Sequence, residues 1–230
     1  MESAAREIEF KFAVHGKQAF DLLVNYLDLP LSVLENGVIQ INHFFDSPAY
    51  CLHKRHFVIR LREENGSYTL TIKGEQQAGP GASNVLTDRV EEEVELAPAT
   101  ARALLDGEMS PQQVINEHFS SRAAALLALI ETACNQQQLV NIGDFRNVRI
   151  HLPPLLVAVG NHDERLQFEL DSSTFPDGRV DCEIEIEISE QSDAAAIEAA
   201  LKDLFRQANI QWHAAPSKAE RFFAALTKAG

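Results

Sequence analysis

Carboxylates recur two residues apart along this chain. Glu7 and Glu9 precede Lys11 in EIEFK, Glu91 and Glu93 follow Arg89 in RVEEEVEL, and Glu169 and Asp171 lie in FELD. Glu183, Glu185 and Glu187 alternate in CEIEIEI. Bases keep the same step, with Arg60 and Arg62 in IRLR and Lys73 two after Thr71 in TLTIK. Carboxylates so spaced on one strand face stand roughly 7 Å apart. At an effective dielectric near 20 they repel by on the order of 2 kcal/mol. A hard divalent cation, Mg²⁺ or Mn²⁺, turns such pairs into ligands. Arg and Lys on neighbouring strands would take phosphate oxygens. A single strand of this kind is also the ordinary pattern of a half-buried antiparallel strand with a wet face. Repetition on strand after strand moves the balance toward a shared charged surface.

Other chemistry finds little support. There is no GxxxxGK[ST] loop, no GxGxxG after a strand and no GxSxG elbow. The eight histidines form neither HxH nor HExxH. His43, near Asp46, is the one histidine with a catalytic reading, and a structural role is favoured for it. Cys182, on a strand, and Trp212, the sole tryptophan, read as packing residues.

The elements that carry these residues alternate at period two over 7–14, 38–47, 56–73, 88–96, 139–151, 155–160, 165–171 and 180–188. Asn65-Gly66 marks a hairpin turn, and 74–87, with three glycines and a proline, reads as a loop. Helical spacing covers 17–28, a stretch begun by Pro98, 121–134, and two closing segments expected to be capped by Ser192 and Ser217. Amphipathic helices need an apolar surface, which the apolar strand faces provide. The charged faces then form either a bare wet sheet or the inside of a barrel, and about eight strands can close. The expected architecture is therefore α+β: an eight-stranded antiparallel barrel forming a tunnel, with a polar charged lumen and flanking helices, in one domain over 1–230.

Across the 230 residues, 45% are apolar and 23% charged, enough for a normal core. The net charge of -14 disfavours a generic nucleic-acid or anionic-membrane binder. MESAAREIEF holds no long apolar run, so no secretory signal is expected. Three cysteines, far apart and without CxxC, suggest neither a disulfide framework nor a zinc ribbon. A soluble cytoplasmic protein with reduced thiols is expected, as a monomer or homodimer without nucleic-acid or membrane partners.

The ordered set EIEFK, NHFFDSP, IRLR, TIKG, RVEEE, FRNVR, ELD, EIEIE and PSKAER resembles the CYTH superfamily, the triphosphate tunnel metalloenzymes, over essentially the whole chain. The resemblance implies an eight-stranded tunnel and metal-assisted hydrolysis of a small polyanion. It implies Mg²⁺ or Mn²⁺ held by Glu7, Glu9, Asp171, Glu183 and Glu185. It implies phosphate binding by Lys11, Arg60, Arg62, Lys73, Arg149 and Lys218, with Arg221 as an alternative to Lys218. Lys11, Glu91, Glu93 and Asp171 would serve catalysis. The short single-domain tripolyphosphatase branch is the nearest match, and inorganic tripolyphosphate the expected substrate. Class IV adenylyl cyclase, thiamine triphosphatase and a non-catalytic polyphosphate or nucleotide sensor are the alternatives. Trp212 would be the aromatic residue for a thiamine ring.

Overall fold

The computed structural model describes residues 6–76, 84–119 and 137–229, together with Ala128, Ile130, Thr132 and Cys134. Its strands are β1 (Arg6–Val14), β2 (Val38–Asp46), β3 (Val58–Glu64), β4 (Ser67–Gln76), β5 (Leu86–Leu96), β6 (Val140–His151), β7 (Leu155–Val159), β8 (His162–Thr174), β9 (Val180–Glu187) and β10 (Trp212–His213). Eight of them pair antiparallel in a ring, β1-β5-β4-β3-β2-β6-β8-β9, and β9 returns to β1. Closure leaves no free barrel edge. β7 extends the sheet beyond β8, and β10 pairs with the end of β1.

The period-two pattern decides which side chains face where. On β1, Phe10 and Phe12 are fully buried outside the barrel, while Glu9 and Lys11 point inward beside Glu185. Between β3 and β4, Asn65 and Gly66 both hold positive φ, 50° and 81°, as a two-residue turn matched to the strand twist requires. At the other end of β2 the register with β6 slips between Phe44 and Phe45, and Gly143 takes φ +128°. That conformation suits glycine.

Among the described residues five helices flank the barrel: α1 (Gln18–Tyr26), α2 (Pro98–Leu105), α3 (Pro111–His118), α4 (Ala194–Gln207) and α5 (Lys218–Ala229). α1 and α4 cover the outer faces of β1, β8 and β9 with Phe20, Leu23, Ile197, Leu201 and Phe205. Phe12 meets Phe205 and Trp212 edge-on at 4.9 and 5.0 Å, so truncating Phe12 to Ala should cost about 3–5 kcal/mol. A second core joins α2, α3, Ile130 and Cys134 to the outer faces of β3 and β4. The third is different in kind. α5 closes an end of the barrel, stacking Phe222 on Phe44 at 4.5 Å, with Phe145 alongside.

Several expectations need correction. β4 runs to Gln76 and β5 starts at Leu86, so the ladder enters the stretch read as a loop, and 77–83 lie outside the described residues. Most of the helix expected over 121–134 also lies outside them, although its four described residues are helical. α4 is capped by Asp193, whose carboxylate accepts from Ala196 N at 3.0 Å, rather than by Ser192. Ser217 does cap α5, exchanging hydrogen bonds with Glu220. Cys51 and Cys134 form a disulfide across 83 residues, and Cys182 alone is a free thiol. Sequence distance hid this pair, because the barrel brings the segment after β2 under the helical block. No described helix is long and apolar enough to cross a membrane.

Candidate active site

The lumen holds a cavity of about 510 Å³. Glu7, Glu9, Lys11, Arg60, Arg62, Lys73, Glu91, Glu93, Arg149, Glu185 and Lys218 border it. Strands from every part of the chain thus turn their charged faces to one space. Asp171 and Glu183 do not border the cavity; they are 0% and 2% exposed and lie behind Lys218.

On one side, β8, β9 and the start of α5 converge. Asp171, Glu183 and Glu185 bring carboxylate oxygens within 4.8 Å of one another. Lys218 Nζ lies 2.6 Å from Asp171, 2.9 Å from Glu185 and in contact with Glu183. Arg149 binds Asp171 through Nε and Nη2, at 2.9 and 2.5 Å, reaches Glu185 at 2.6 Å and touches Glu169. Asn147 donates to Asp171 at 2.8 Å and to Gln40 at 2.9 Å, and Ser173 donates to Asn147. Burial alone would raise the Asp171 and Glu185 carboxyls. Lys218 and Arg149 outweigh it for Asp171, and Lys11, Lys218 and Arg149 for Glu185, so both stay below the usual range. Arg221 binds Asp181 and Glu183. It is therefore Lys218, and not Arg221, that reaches the cavity.

On the other side, β3, β4 and β5 present Arg60, Arg62, Lys73 and Arg89. Lys73 Nζ donates to Glu7 at 2.9 Å and to Glu91 at 2.7 Å, and Arg89 binds Glu7 at 2.8 Å. Burial would raise Glu7, yet Lys73 and Arg89 hold it ionised well below the usual range. Glu91 shares Lys73 with it and is pushed up to about 7 by burial, with Glu7 adding to the rise. Glu9 is likewise pushed up to about 7, by burial and then by Glu185 and Glu7 against Lys11. Lys73 falls to about 8 and Arg60 to about 10, each mainly through burial and next through neighbouring guanidinium groups. Glu93, about half exposed, accepts from Thr71 at 2.7 Å.

Arg89, Glu169, Glu187, Gln40, Asn42 and Asn147 also border the cavity and had no assigned role. Arg89 carried the signal, two residues before Glu91 on the same face. The amides did not, because neutral side chains break a charge pattern. Trp212 packs outside the barrel against Phe12, so it offers nothing to a ligand in the lumen. Phe44, Phe145 and Val58 do line the cavity, but α5 covers the two rings. His43 does not line the cavity.

The buried oxygens of Asp171, Glu183 and Glu185 are a hard, anionic donor set that fits a divalent cation, and Glu9 stands near them across Lys11. The bases opposite can take the oxygens of a polyphosphate.

Comparison with known proteins agrees with this geometry. A putative adenylyl cyclase from Hippeastrum, described as having a dominant triphosphatase activity, superposes with TM-score 0.71 at 24% identity over 95% of each chain. A putative adenylate cyclase from Bacillus halodurans gives TM-score 0.67 at 24% identity, over 95% of this chain and 98% of that one. At that identity the likeness shows a shared fold. A stretch of 73 residues is 36% identical to the "Putative triphosphatase YjbK" of Bacillus subtilis, spanning 32% of this chain and only 36% of that protein's length. The CYTH domain model matches residues 5–223, and with that match the chain belongs to the CYTH family.

Proposed function

We propose that the protein hydrolyses inorganic tripolyphosphate, or a closely related triphosphate, to pyrophosphate and phosphate, with Mg²⁺ or Mn²⁺ as cofactor. The observation that carries this reading is a barrel lumen of about 510 Å³ in which Glu9 and Glu185, the latter backed by buried Asp171 and Glu183, stand opposite Arg60, Arg62, Lys73 and Arg89. A bare anion site needs no such cluster of buried acids, which here draws Lys218 and Arg149 into ion pairs instead of leaving them for an anion.

In this reading Arg60, Arg62, Lys73, Arg149, Lys11 and Lys218 hold phosphate oxygens and spread the charge of the transition state. Asp171, Glu183 and Glu185, with Glu9 beside them, would hold the cation, which when bound supplies neutralisation of phosphate charge. Glu7, expected from the sequence to join them, is held instead by Lys73 and Arg89 on the opposite side. Glu91 is the acid best placed to orient water and accept its proton, being pushed up to about 7, near operating pH. Glu93 also borders the cavity and is the alternative for that work, whereas Asp171, fully buried behind Lys218, is not placed for it. Lys11, between Glu9 and Glu185 at 2.7 and 3.1 Å, keeps those two carboxylates apart in charge and aimed inward. No side-chain nucleophile is required. The reading treats residues 1–230 as one tunnel domain acting in the cytoplasm, where the Cys51–Cys134 pair would be reduced.

A second reading, class IV adenylyl cyclase, draws on the names of the structural neighbours. A cyclase must hold ribose and base, whereas the rings bordering this lumen, Phe44 and Phe145, pack against each other and Phe222. The test is kcat/KM for tripolyphosphate, ATP and thiamine triphosphate under each metal, with cyclic AMP assayed. We expect tripolyphosphate to lead and no cyclic AMP to form. A higher value for either organic substrate, or cyclic AMP as main product, overturns the substrate assignment. Phosphate release that is absent with and without metal would favour a binding protein.

A further inference from the structure

A cation already occupies the carboxylate triad, and it belongs to the protein. Lys218 Nζ touches all three acids at once, Asp171, Glu183 and Glu185. Only one other group of such ligand atoms lies this close together among the described residues, and it contains both sulfurs of the disulfide. Lys218 also borders the lumen, whereas Asp171 and Glu183 do not. Lys218, Arg149 and Asn147 touch Asp171 from the lumen side, and of these Lys218 alone also touches Glu183.

We propose that Lys218 is an exchangeable plug of the metal site: its ammonium and a divalent cation compete for the same three carboxylates, and the polyanion tips the exchange by offering Lys218 new oxygen partners. The inference rests on the metal-dependent reading above and adds its regulation. Four things make the exchange local. Lys218 is the first residue of α5, on a four-carbon stem that rotates freely. The helix start is fixed separately by the Ser217–Glu220 hydrogen bonds. One turn on, Arg221 grips Asp181 and Glu183, and Phe222 stacks on Phe44. Finally, Arg149 keeps Asp171 and Glu185 in place when Lys218 leaves. The side chain can therefore swing into the lumen while α5 stays docked. Metal alone must displace an ion pair, whereas metal with polyanion replaces it, so the two ligands bind with positive coupling.

The test reads binding and needs no turnover. Mn²⁺ is titrated calorimetrically into the wild type and Lys218→Gln, with and without a non-hydrolysable imidotriphosphate. The plug predicts Mn²⁺ binding about tenfold or more tighter in Lys218→Gln without phosphate, and a smaller gain from imidotriphosphate in the variant than in the wild type. A merely structural lysine predicts the reverse, since the triad would splay without it, and equal or weaker Mn²⁺ binding in the variant overturns the proposal while leaving the metal-dependent reading intact. No Mn²⁺ binding by either protein, with or without imidotriphosphate, overturns both. Should Lys218→Gln fail to fold, acylation footprinting of the wild type decides. Lys218 must become more reactive at saturating Mn²⁺, and unchanged reactivity overturns the plug.

Discussion

The two sides of the lumen are charged in opposite ways and balanced in opposite ways. Beside β8 and β9, acids dominate, and their counter-charges come from Arg149 in the barrel and Lys218 on a helix outside it. Two of those acids, Asp171 and Glu185, are held below the usual range by Lys218, Arg149 and, for Glu185, Lys11. Beside β3, β4 and β5, bases dominate and crowd one another. Burial and then Arg62 push Arg60 down to about 10, and burial, Arg89 and Arg60 push Lys73 down to about 8. Of the acids set among them, Glu7 and Glu93 are held low, and Glu91 alone is pushed up to about 7, mainly by burial. The acidic side is thus already answered by the protein's own cations, Lys218 and Arg149. The basic side is an unsatisfied site that an arriving anion would relieve.

The difference can be broken most sharply on the acidic side. Glu185 contacts Lys11, Lys218 and Arg149 together, so Glu185→Gln removes one charge from three partners. We expect turnover of tripolyphosphate to fall by about 10²–10³-fold. Glu9→Gln should act in the same direction while leaving the thermal midpoint equal or slightly higher, because for a carboxyl driven up to about 7 burial and the repulsion of Glu185 and Glu7 outweigh the attraction of Lys11. Excess chelator should match these losses in the wild type. Full activity in either variant or in chelator would show that the triad is structural.

On the basic side single losses should be milder, because several bases share the anion. Arg60 donates to Thr71 at 3.2 Å and stands 3.5 Å from Glu93. Arg60→Ala should lower kcat/KM by about tenfold or more, roughly 1.4 kcal/mol. Unchanged kinetics at sub-saturating tripolyphosphate would make Arg60 an internal ion-pair residue and nothing else.

How far each side could be read from the sequence follows from the same contrast. Period-two alternation made Glu7, Glu9, Lys11, Arg60, Arg62 and Lys73 legible, because a closed barrel converts parity along a strand into lumen or exterior. Depth along the lumen was not legible. Asp171 and Glu183 have the same parity as Glu169 and Glu185, yet only the latter pair borders the cavity. The screen is Lys218, 47 residues away from Asp171 in sequence, and no local pattern encodes that meeting. The apolar end of the lumen was missed for a related reason. Phe44 and Phe145 occupy lumen parity but are packed by a helix end, so a charged stripe turns apolar where α5 enters. Nothing in the sequence pairs Cys51 with Cys134, because 83 residues separate them and only the fold makes them neighbours.

A pH titration sharpens the comparison with a smaller effect. The folded state raises Glu91 from 4.5 to about 7, so it binds a proton there that the unfolded chain has released. Its contribution is fully present below about 4.5 and is lost as pH rises toward 7. His43 and His53, held low chiefly by burial, act with the opposite sign nearby, so the wild type alone would blur the result. The difference between wild type and Glu91→Gln isolates it. In chelator, the wild type should lose several degrees of thermal midpoint relative to the variant between about pH 4.5 and 7. A constant difference across that range would mean Glu91 is ionised throughout, and the basic side satisfied after all.

The smallest expected effect on activity comes from the disulfide, which belongs to neither side. Cys51 and Cys134 pack in the outer core with Leu52, Ile59 and Ile130, away from the cavity. The segment they tie down has a second anchor. Asp46, fully buried, accepts backbone N–H bonds from Ser47, Leu52 and His53 at 2.6, 2.9 and 2.9 Å. That knot fixes the path from β2 toward β3 whether or not the sulfurs are joined. Chain entropy across so long a loop suggests about 2–4 kcal/mol from the cross-link, hence roughly 5–15 °C lower thermal midpoint in Cys51→Ser or under reductant. Because both lumen walls are built by the ring of strands, kcat/KM for tripolyphosphate at 25 °C should stay within about twofold of the oxidised wild type. A tenfold loss of activity on reduction, with the fold retained, would show that the outer core sets the lumen's geometry. The contrast between the two walls would then depend on the oxidation state of a bond that touches neither.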